Sequence, residues 1–242
     1  MKICVAQTKP IKGDIENNIE QHKKFIELAV SNGANAIFFP ELSVTGYEPG
    51  LAKDLATDQG DSRFDYFQQI SDASQIAIGV GVPTKNNPGI CISMVIFQPH
   101  KARQTYSKKY IHPDEEEFFV SGKNFGCLPN TNPSIALAIC YELSIPAHSE
   151  NAHQCGAEIY IASVAKTDDG VEKASKSLSG IAKKYSMTVL MSNCIGHCDN
   201  FESAGKTAIW NNKGSLMEQM NGTAEGLLMI DTATNEVTKS IF

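Results

Sequence analysis

Three strand-like segments of this chain each hand over, within two residues of their end, to a side chain that can do chemistry. Residues 34–39 (ANAIFF) run through Pro40 to Glu41, residues 102–106 run through Ser107 to Lys108, and residues 134–139 (SIALAI) stop at Cys140. Short apolar runs bounded by turn residues and separated by helical periodicities read as an α/β sheet. In such sheets the carboxyl ends of the strands are where sites form. Taken singly, each residue has a plain structural explanation: a Glu at a turn, a solvated Lys in a basic cluster, a Cys packed as a small hydrophobe. Together they bring a carboxylate, an ammonium and a thiol to three strand exits.

The stretch 137–146 (LAICYELSIP) sets Cys140 at the end of an apolar run and follows it with an aromatic, a carboxylate and Pro146. Pro at a first helical position is favourable, so the segment reads as a strand turning into a helix. A nucleophile on such a turn is lifted out of the sheet, and the N–H groups that follow it face an incoming carbonyl.

On FFPELSVTGY at 38–47, TYSKKYIHPDEEEFFVSG at 105–122 and LAICYELSIP at 137–146, the chain resembles the nitrilase superfamily, carbon–nitrogen hydrolases with a Glu-Lys-Cys catalytic set. The three motifs stand in the family's order. SVAK at 163–166, the stretch 191–214 and EGLLMID at 225–231 resemble its later strands, so that the likeness covers almost the entire chain. It implies an α/β fold, a four-layer α-β-β-α sandwich of two similar halves, formed as one carbon–nitrogen hydrolase domain over residues 1–242. It also implies that Glu41, Lys108 and Cys140 are catalytic and that a second carboxylate stands near them. Counting back from Phe119 in FFVSG gives Glu115 for that role, with Glu116 as rival by one residue and a solvated acidic loop as the bland reading. Glu142 resembles a carboxylate the family often keeps, and a structural role is expected of it: accepting backbone hydrogen bonds to hold the elbow.

The chemistry explains why these residue types serve together. Amide nitrogen is a poor leaving group, so a hydrolase must supply a nucleophile, hold an oxyanion and protonate the departing nitrogen. A free thiol titrates at about 8.5, and a carboxylate can take its proton while an ammonium favours the thiolate. The expected roles are Glu41 as general base, Cys140 as nucleophile, and Lys108 with the Tyr141 N–H as oxyanion donors. No metal or organic cofactor is needed for these steps.

Composition narrows the setting. A formal charge of −6 makes nucleic acid an unexpected partner, and the basic stretch 101–109 is balanced by the acidic run 114–117. No apolar run reaches membrane-spanning length, and MKICVAQ opens a strand where a signal peptide needs a longer apolar core. Seven cysteines, odd in number and irregularly spaced, fit reduced thiols in a cytoplasmic protein. Cys194, His197 and Cys198 form an alternative, zinc-binding reading, for which a second ligand pair at matching spacing is missing. His148 and His153 are expected on a polar helix face.

Along the chain, strands are expected at 2–7, 34–39, 75–82, 89–97, 102–106, 158–164 and 188–193. Helices are expected from Asp14 to Asn32-Gly33 and at 63–73, 146–155 and 173–186, with a C-terminal meander over 206–210, 215–219 and 226–230. The favoured activity is a thiol amidase acting on a small amide. An N-carbamoyl-amine hydrolase with the same residues, and a non-catalytic binding member of the fold, are the alternatives. Many relatives carry an Arg where this chain has Ser144. With Lys108 committed to the oxyanion, neutral or cationic amides are expected to be preferred over amides bearing a carboxylate; Lys109, Lys166, Lys206 and His148 are the alternative cations that would reverse this by lining the pocket. A homodimer is expected, as the commonest closed assembly.

Overall fold

The computed structural model describes residues 1–123, 127–128 and 131–242. Its first half comprises β1 (Lys2–Gln7), α1 (Ile15–Ser31), β2 (Ala36–Phe38), α2 (Ala52–Leu55), α3 (Asp65–Ser74), β3 (Ala77–Lys85), β4 (Ile90–Phe97) and β5 (Gln104–Ser107). The second comprises β6 (Cys127–Leu128), β7 (Ile135–Ile139), α4 (Pro146–Gln154), β8 (Ile159–Val164), α5 (Asp168–Tyr185) and β9 (Thr188–Asn193). The chain then adds β10 (Ile195–Cys198), β11 (Phe201–Ala204), β12 (Ala208–Trp210), β13 (Leu216–Gln219), β14 (Gly226–Asp231) and β15 (Glu236–Ile241).

Two mixed sheets result. One has the order β15-β14-β1-β2-β3-β4-β5, the other β13-β12-β9-β8-β7-β6, and β10 pairs with β11 as a separate ribbon. In each sheet three consecutive strands are parallel, β1-β2-β3 and β7-β8-β9, joined by crossover helices, while the flanking strands run antiparallel. Those two β-α-β-α-β cores are the similar halves.

Side-chain alternation sorts the strands into layers. Ile3, Val5, Phe38, Ile92 and Met94 of the first sheet pack with Ile135, Leu137, Ile139, Ile161 and Leu190 of the second, forming the core between the sheets. The intervening residues Cys4, Ala6, Ile37 and Val80 turn outward beneath Ile19, Phe25 and Ile26 of α1 and Phe67 of α3. On the far side Ala136, Ala138 and Ala162 let Val171, Ala174 and Leu178 of α5 settle closely on the second sheet. The layers are therefore α-β-β-α. Strands buried on both faces read as continuous apolar runs, which is why SIALAI and EIYIASV show no alternation. Two hydroxyls tie the sheets together: Ser163 donates to the Phe39 carbonyl at 2.7 Å and Ser192 to the Ala6 carbonyl at 2.6 Å.

Two expectations shift. Helix α5 begins at Asp168 rather than 173, because Thr167 accepts a hydrogen bond from the Gly170 N–H and caps it there. The ribbon β10–β11 and the edge strand β15 escaped the reading; their segments IGHC, FESA and EVTKSI are short and largely polar.

Candidate active site

The ends of β7 and β8 open onto a cavity of about 610 Å³, with Tyr47, Glu115, Cys140, Tyr141, Lys166 and Phe201 in its wall, and the ends of β2 and β5 bring Glu41 and Lys108 to the buried Glu115 behind it. Glu41 arrives on the turn after β2. There the Phe39 N–H bonds to the Gly79 carbonyl at 3.0 Å and the Val44 N–H to the Gly81 carbonyl at 2.9 Å, so the turn lies flat against β3. Gly81 makes this approach possible. A Cβ at that position would stand 2.4 Å from the Pro40 carbonyl oxygen and 2.5 Å from the Leu42 nitrogen. Lys108 follows β5, its backbone held by the Ile92 carbonyl at 2.8 Å and the Gly122 N–H at 2.7 Å.

The three charged side chains meet out of water. Lys108 Nζ donates to Glu41 Oε1 at 2.8 Å and to both oxygens of Glu115 at 2.8 Å, and Lys108 is 0% exposed. Glu115 sits on a single 3-10 turn, Pro113–Glu115. Its carboxylate also accepts from the Tyr47 hydroxyl at 2.8 Å and the His112 N–H at 2.9 Å. Glu116, its rival, is exposed. Glu41 Oε2 has no hydrogen-bond partner among the described residues.

Cys140 stands directly after β7 with φ +45°, in the left-handed region, and opens a 3-10 turn, Cys140–Ser144. A non-glycine residue at positive φ stores strain that surrounding contacts must hold. Glu142 supplies the contacts. It is fully buried; Oε2 accepts from the Ile139 N–H at 2.8 Å and the Tyr106 hydroxyl at 2.5 Å, and Oε1 from the Lys109 N–H at 2.7 Å. One carboxylate thus fastens the cysteine turn to the lysine segment. Behind it, His148 is buried between the Tyr160 hydroxyl at 2.9 Å and the Tyr106 hydroxyl at 3.1 Å. That corrects the expectation of a surface position for His148, whereas His153 is exposed as expected. Burial depresses the pKa of His148, against the pull of Glu142, so the ring is held neutral.

The Lys108 ammonium favours the thiolate, and burial outweighs it. One ammonium and two carboxylates leave the buried set with one net negative charge while the thiol is neutral, and ionising Cys140 makes two. Burial and the Glu41 charge push the Cys140 thiol up to about 11, with Lys166 and Lys108 pulling the other way. Burial likewise raises Glu41, opposed by Lys108. For Lys108 burial works against the charge, but Glu41, Cys140 and Glu115 reverse the balance and its pKa rises. Burial thus disfavours charge on both Glu41 and Cys140, and a proton passing from Cys140 to Glu41 changes no net charge.

Tyr47, Gly81 and Lys166 were not assigned to the site by motif. Tyr47 ends FFPELSVTGY, and Lys166 stands two residues after β8, at a strand exit like the other three. Ser144, where an Arg was considered, is exposed and lies outside the cavity wall. The premise that Lys108 is the sole cation near the substrate therefore fails. The zinc reading fails on geometry as well: Cys194 and Cys198 lie 3.6 Å apart, but His197 is exposed and turns to Glu202 at 3.2 Å. Among the described residues no group of three or more His, Cys, Asp or Glu is placed to hold a metal ion. Among them, too, no helix is long and apolar enough to cross a membrane.

A four-layer sandwich with an acid, a lysine and a cysteine at its strand ends defines a class, and comparison with known proteins agrees. The chain belongs to the carbon–nitrogen hydrolase family, whose model matches residues 2–241. It is an amidase-like carbon–nitrogen hydrolase. Over 98% of its length it is 22% identical to a protein of Staphylococcus aureus named hydrolase in agr operon, covering 93% of that protein. It is 23% identical to the 2-oxoglutaramate amidase of Bacillus subtilis, covering 93% of this chain and 87% of the relative. Among solved structures it superposes, at TM-score 0.86 and 21% identity, on a mutant amidase from Nesterenkonia sp. AN1. That structure holds the acetamide moiety of fluoroacetamide on its active-site cysteine, and the match covers 96% of this chain and 90% of that one.

Proposed function

We propose that the protein is a thiol amidase that cleaves a small amide through a thioester on Cys140. The observation that carries this is the buried Glu41–Lys108–Glu115 set beside Cys140 at the cavity wall. Glu41 takes the thiol proton through its unpartnered Oε2 as sulfur attacks the carbonyl carbon. Lys108 has three N–H bonds. With Glu41 on one and Glu115 sharing another, the third meets the developing oxyanion, joined by the Tyr141 N–H, one of those a helical turn leaves without an acceptor at its start. Glu115 holds the ammonium in place. Glu41 then returns the proton to the leaving nitrogen, ammonia or an amine departs, and water activated by Glu41 hydrolyses the thioester.

The likeness to named amidases, one carrying the acetamide moiety of fluoroacetamide on its active-site cysteine, supports this reading. The test is a panel of amides and carbamoyl compounds read by ammonia and carbon dioxide release, with a Cys140→Ala control. Ammonia without carbon dioxide, lost in the control, is expected. Carbon dioxide release would reassign the protein as an N-carbamoyl-amine hydrolase, and no release at all would favour a binding role.

The whole chain forms one domain in this proposal, works in the cytoplasm and pairs as a homodimer. All seven cysteines are free, which suits a reducing compartment. The strand β15 lies at a sheet edge and ends at Ile241, which with Phe242 beyond it is well exposed. Sedimentation at micromolar concentration is expected to give twice the chain mass of 26.3 kDa.

A further inference from the structure

Lys166 is the cation of the cavity that the chemistry above leaves unused. Its backbone is fixed from several sides: the N–H bonds to Asn193 Oδ1 at 3.0 Å, and the carbonyl accepts from the Ala204 N–H at 2.8 Å and Ser203 Oγ at 3.2 Å. Its stem lies over Gly170 in the first turn of α5, where a Cβ would come within 3.3 Å of Lys166 Cβ and 3.6 Å of Cγ. A fixed backbone and a glycine floor present the ammonium to the cavity that Cys140 also lines.

The charges around it are otherwise spoken for. Glu115 is bound to Lys108, and Lys206 pairs with Asp168. Asp114 and Asp199 reach the cavity rim, both exposed to solvent. Among the described residues no carboxylate lies within ion-pair distance of the Lys166 ammonium. It stands near enough to Cys140 that its charge favours the thiolate more than that of Lys108 does. A substrate with its carbonyl at Cys140 therefore meets Lys166 across the same cavity.

We propose that Lys166 receives a carboxylate of the substrate, so that the enzyme acts by preference on small amides carrying a free carboxylate at the end remote from the scissile bond. This rests on the reading of Cys140 as the acyl-accepting thiol. It reverses the preference for neutral or cationic amides expected from the missing Arg at position 144. The volume of about 610 Å³ suits a short dicarboxylic monoamide with some water.

The test compares 4-carbamoylbutanoate with pentanamide, which share chain length and differ in the terminal charge. The wild type is expected to favour the acidic amide in kcat/KM by about tenfold or more. Lys166→Met should remove that preference by raising KM for the acidic amide about tenfold more than for pentanamide, on top of any fall in kcat common to both from the lost charge beside Cys140, and Lys166→Arg should restore most of the preference. A second readout needs no turnover: 4-carbamoylbutanoate should protect Cys140 from iodoacetamide at lower concentration than pentanamide does, and Lys166→Met should equalise them. Preference of the wild type for pentanamide, or equal losses for both amides in Lys166→Met, would overturn the proposal. If neither amide is hydrolysed the amidase reading fails, and the protection ratio still decides whether Lys166 binds the carboxylate.

Discussion

Glu41 gives one carboxylate oxygen to Lys108 at 2.8 Å and keeps the other without a hydrogen bond, in a place where neither side chain is exposed. An unpartnered oxygen on a buried carboxylate costs free energy and persists where it has work to do. Here it is the oxygen nearest the task of receiving a proton. The lysine stays charged because two carboxylates surround it, and those carboxylates in turn hold the thiol neutral. General base catalysis in this site is thus a matter of proton transfer inside a set of constant charge, with no need for a standing thiolate.

The first prediction separates these two roles of Glu41. Replacing it by Gln removes a negative charge beside Cys140, so the thiol should titrate below its value of about 11. Turnover should nevertheless drop by about 10²-fold or more, because the amide cannot accept the proton. In the wild type, Glu41 must be ionised to act and its pKa is raised by burial. The acid limb of kcat/KM should therefore fall off at a pH above the ordinary carboxylate value of about 4.3. Thiolate absorbance against pH, measured in both proteins, checks the sign; a thiol pKa that stays put or rises in the variant would contradict it.

The second prediction contrasts neighbours. Glu115→Gln leaves Lys108 with one carboxylate instead of two, and the loss from a buried, hydrogen-bonded pair should destabilise the fold by about 3 kcal/mol. The ammonium also loses its positioning, for a drop in kcat of about 10- to 100-fold. Glu116→Gln, on an exposed side chain, should leave both within error. Urea unfolding and initial rates on the two variants suffice.

The strand exits were readable because they rest on local rules: an apolar run, a turn residue, then a polar side chain. Glu115 was readable by count, although only the fold explains why it and not Glu116 turns inward, since His112 caps the turn that carries it. His148 was not. Helix α4, PAHSENAHQ, buries His148 against the polar set of Tyr106, Tyr160 and Glu142 and gives only the small Ala152 to the apolar core, so no hydrophobic stripe marks it. The resting charge of Cys140 was equally out of reach, because it depends on the net charge of residues brought together from four segments. Lys166 obeys the same strand-exit rule as Glu41, and the sequence offers it beside Lys109, Lys206 and His148 as a further pocket cation; only the fold selects it, since of the four it alone lines the cavity.

The third prediction concerns the backbone under Glu41. Gly81→Ala would place a methyl group within 2.5 Å of the Pro40 oxygen and the Leu42 nitrogen, and the turn bearing Glu41 must move to admit it. A displacement on the order of 1 Å at a general base costs about 10²-fold in rate. Gly180→Ala is the control, since nothing lies within 4 Å of the added carbon and the position is inside α5. That change should stabilise the protein by up to about 1 kcal/mol and leave turnover alone. Wild-type rates in Gly81→Ala would show that the Glu41 turn tolerates movement.

The fourth prediction tests whether Glu142 is the fastener of the elbow. Its carboxylate accepts from the Ile139 N–H, the Lys109 N–H and the Tyr106 hydroxyl, so it holds the strained Cys140 turn and the start of the lysine segment at once. Glutamine keeps the shape and one acceptor oxygen, yet it must aim an amide N–H₂ at a donor it cannot satisfy. Leaving such a buried group unpaired costs about 1–3 kcal/mol, and more where the lost bonds were to a charge. Glu142→Gln should therefore lower stability by about 3 kcal/mol and reduce kcat. Tyr106→Phe removes one of four donors, the Tyr110 N–H at 3.4 Å being the fourth, and should show a smaller loss, about 1 kcal/mol, with most activity retained. If Glu142→Gln unfolded at the wild-type urea midpoint and kept its rate, the elbow would have to be held by the strand and helix on either side of it, and Glu142 would be a passenger.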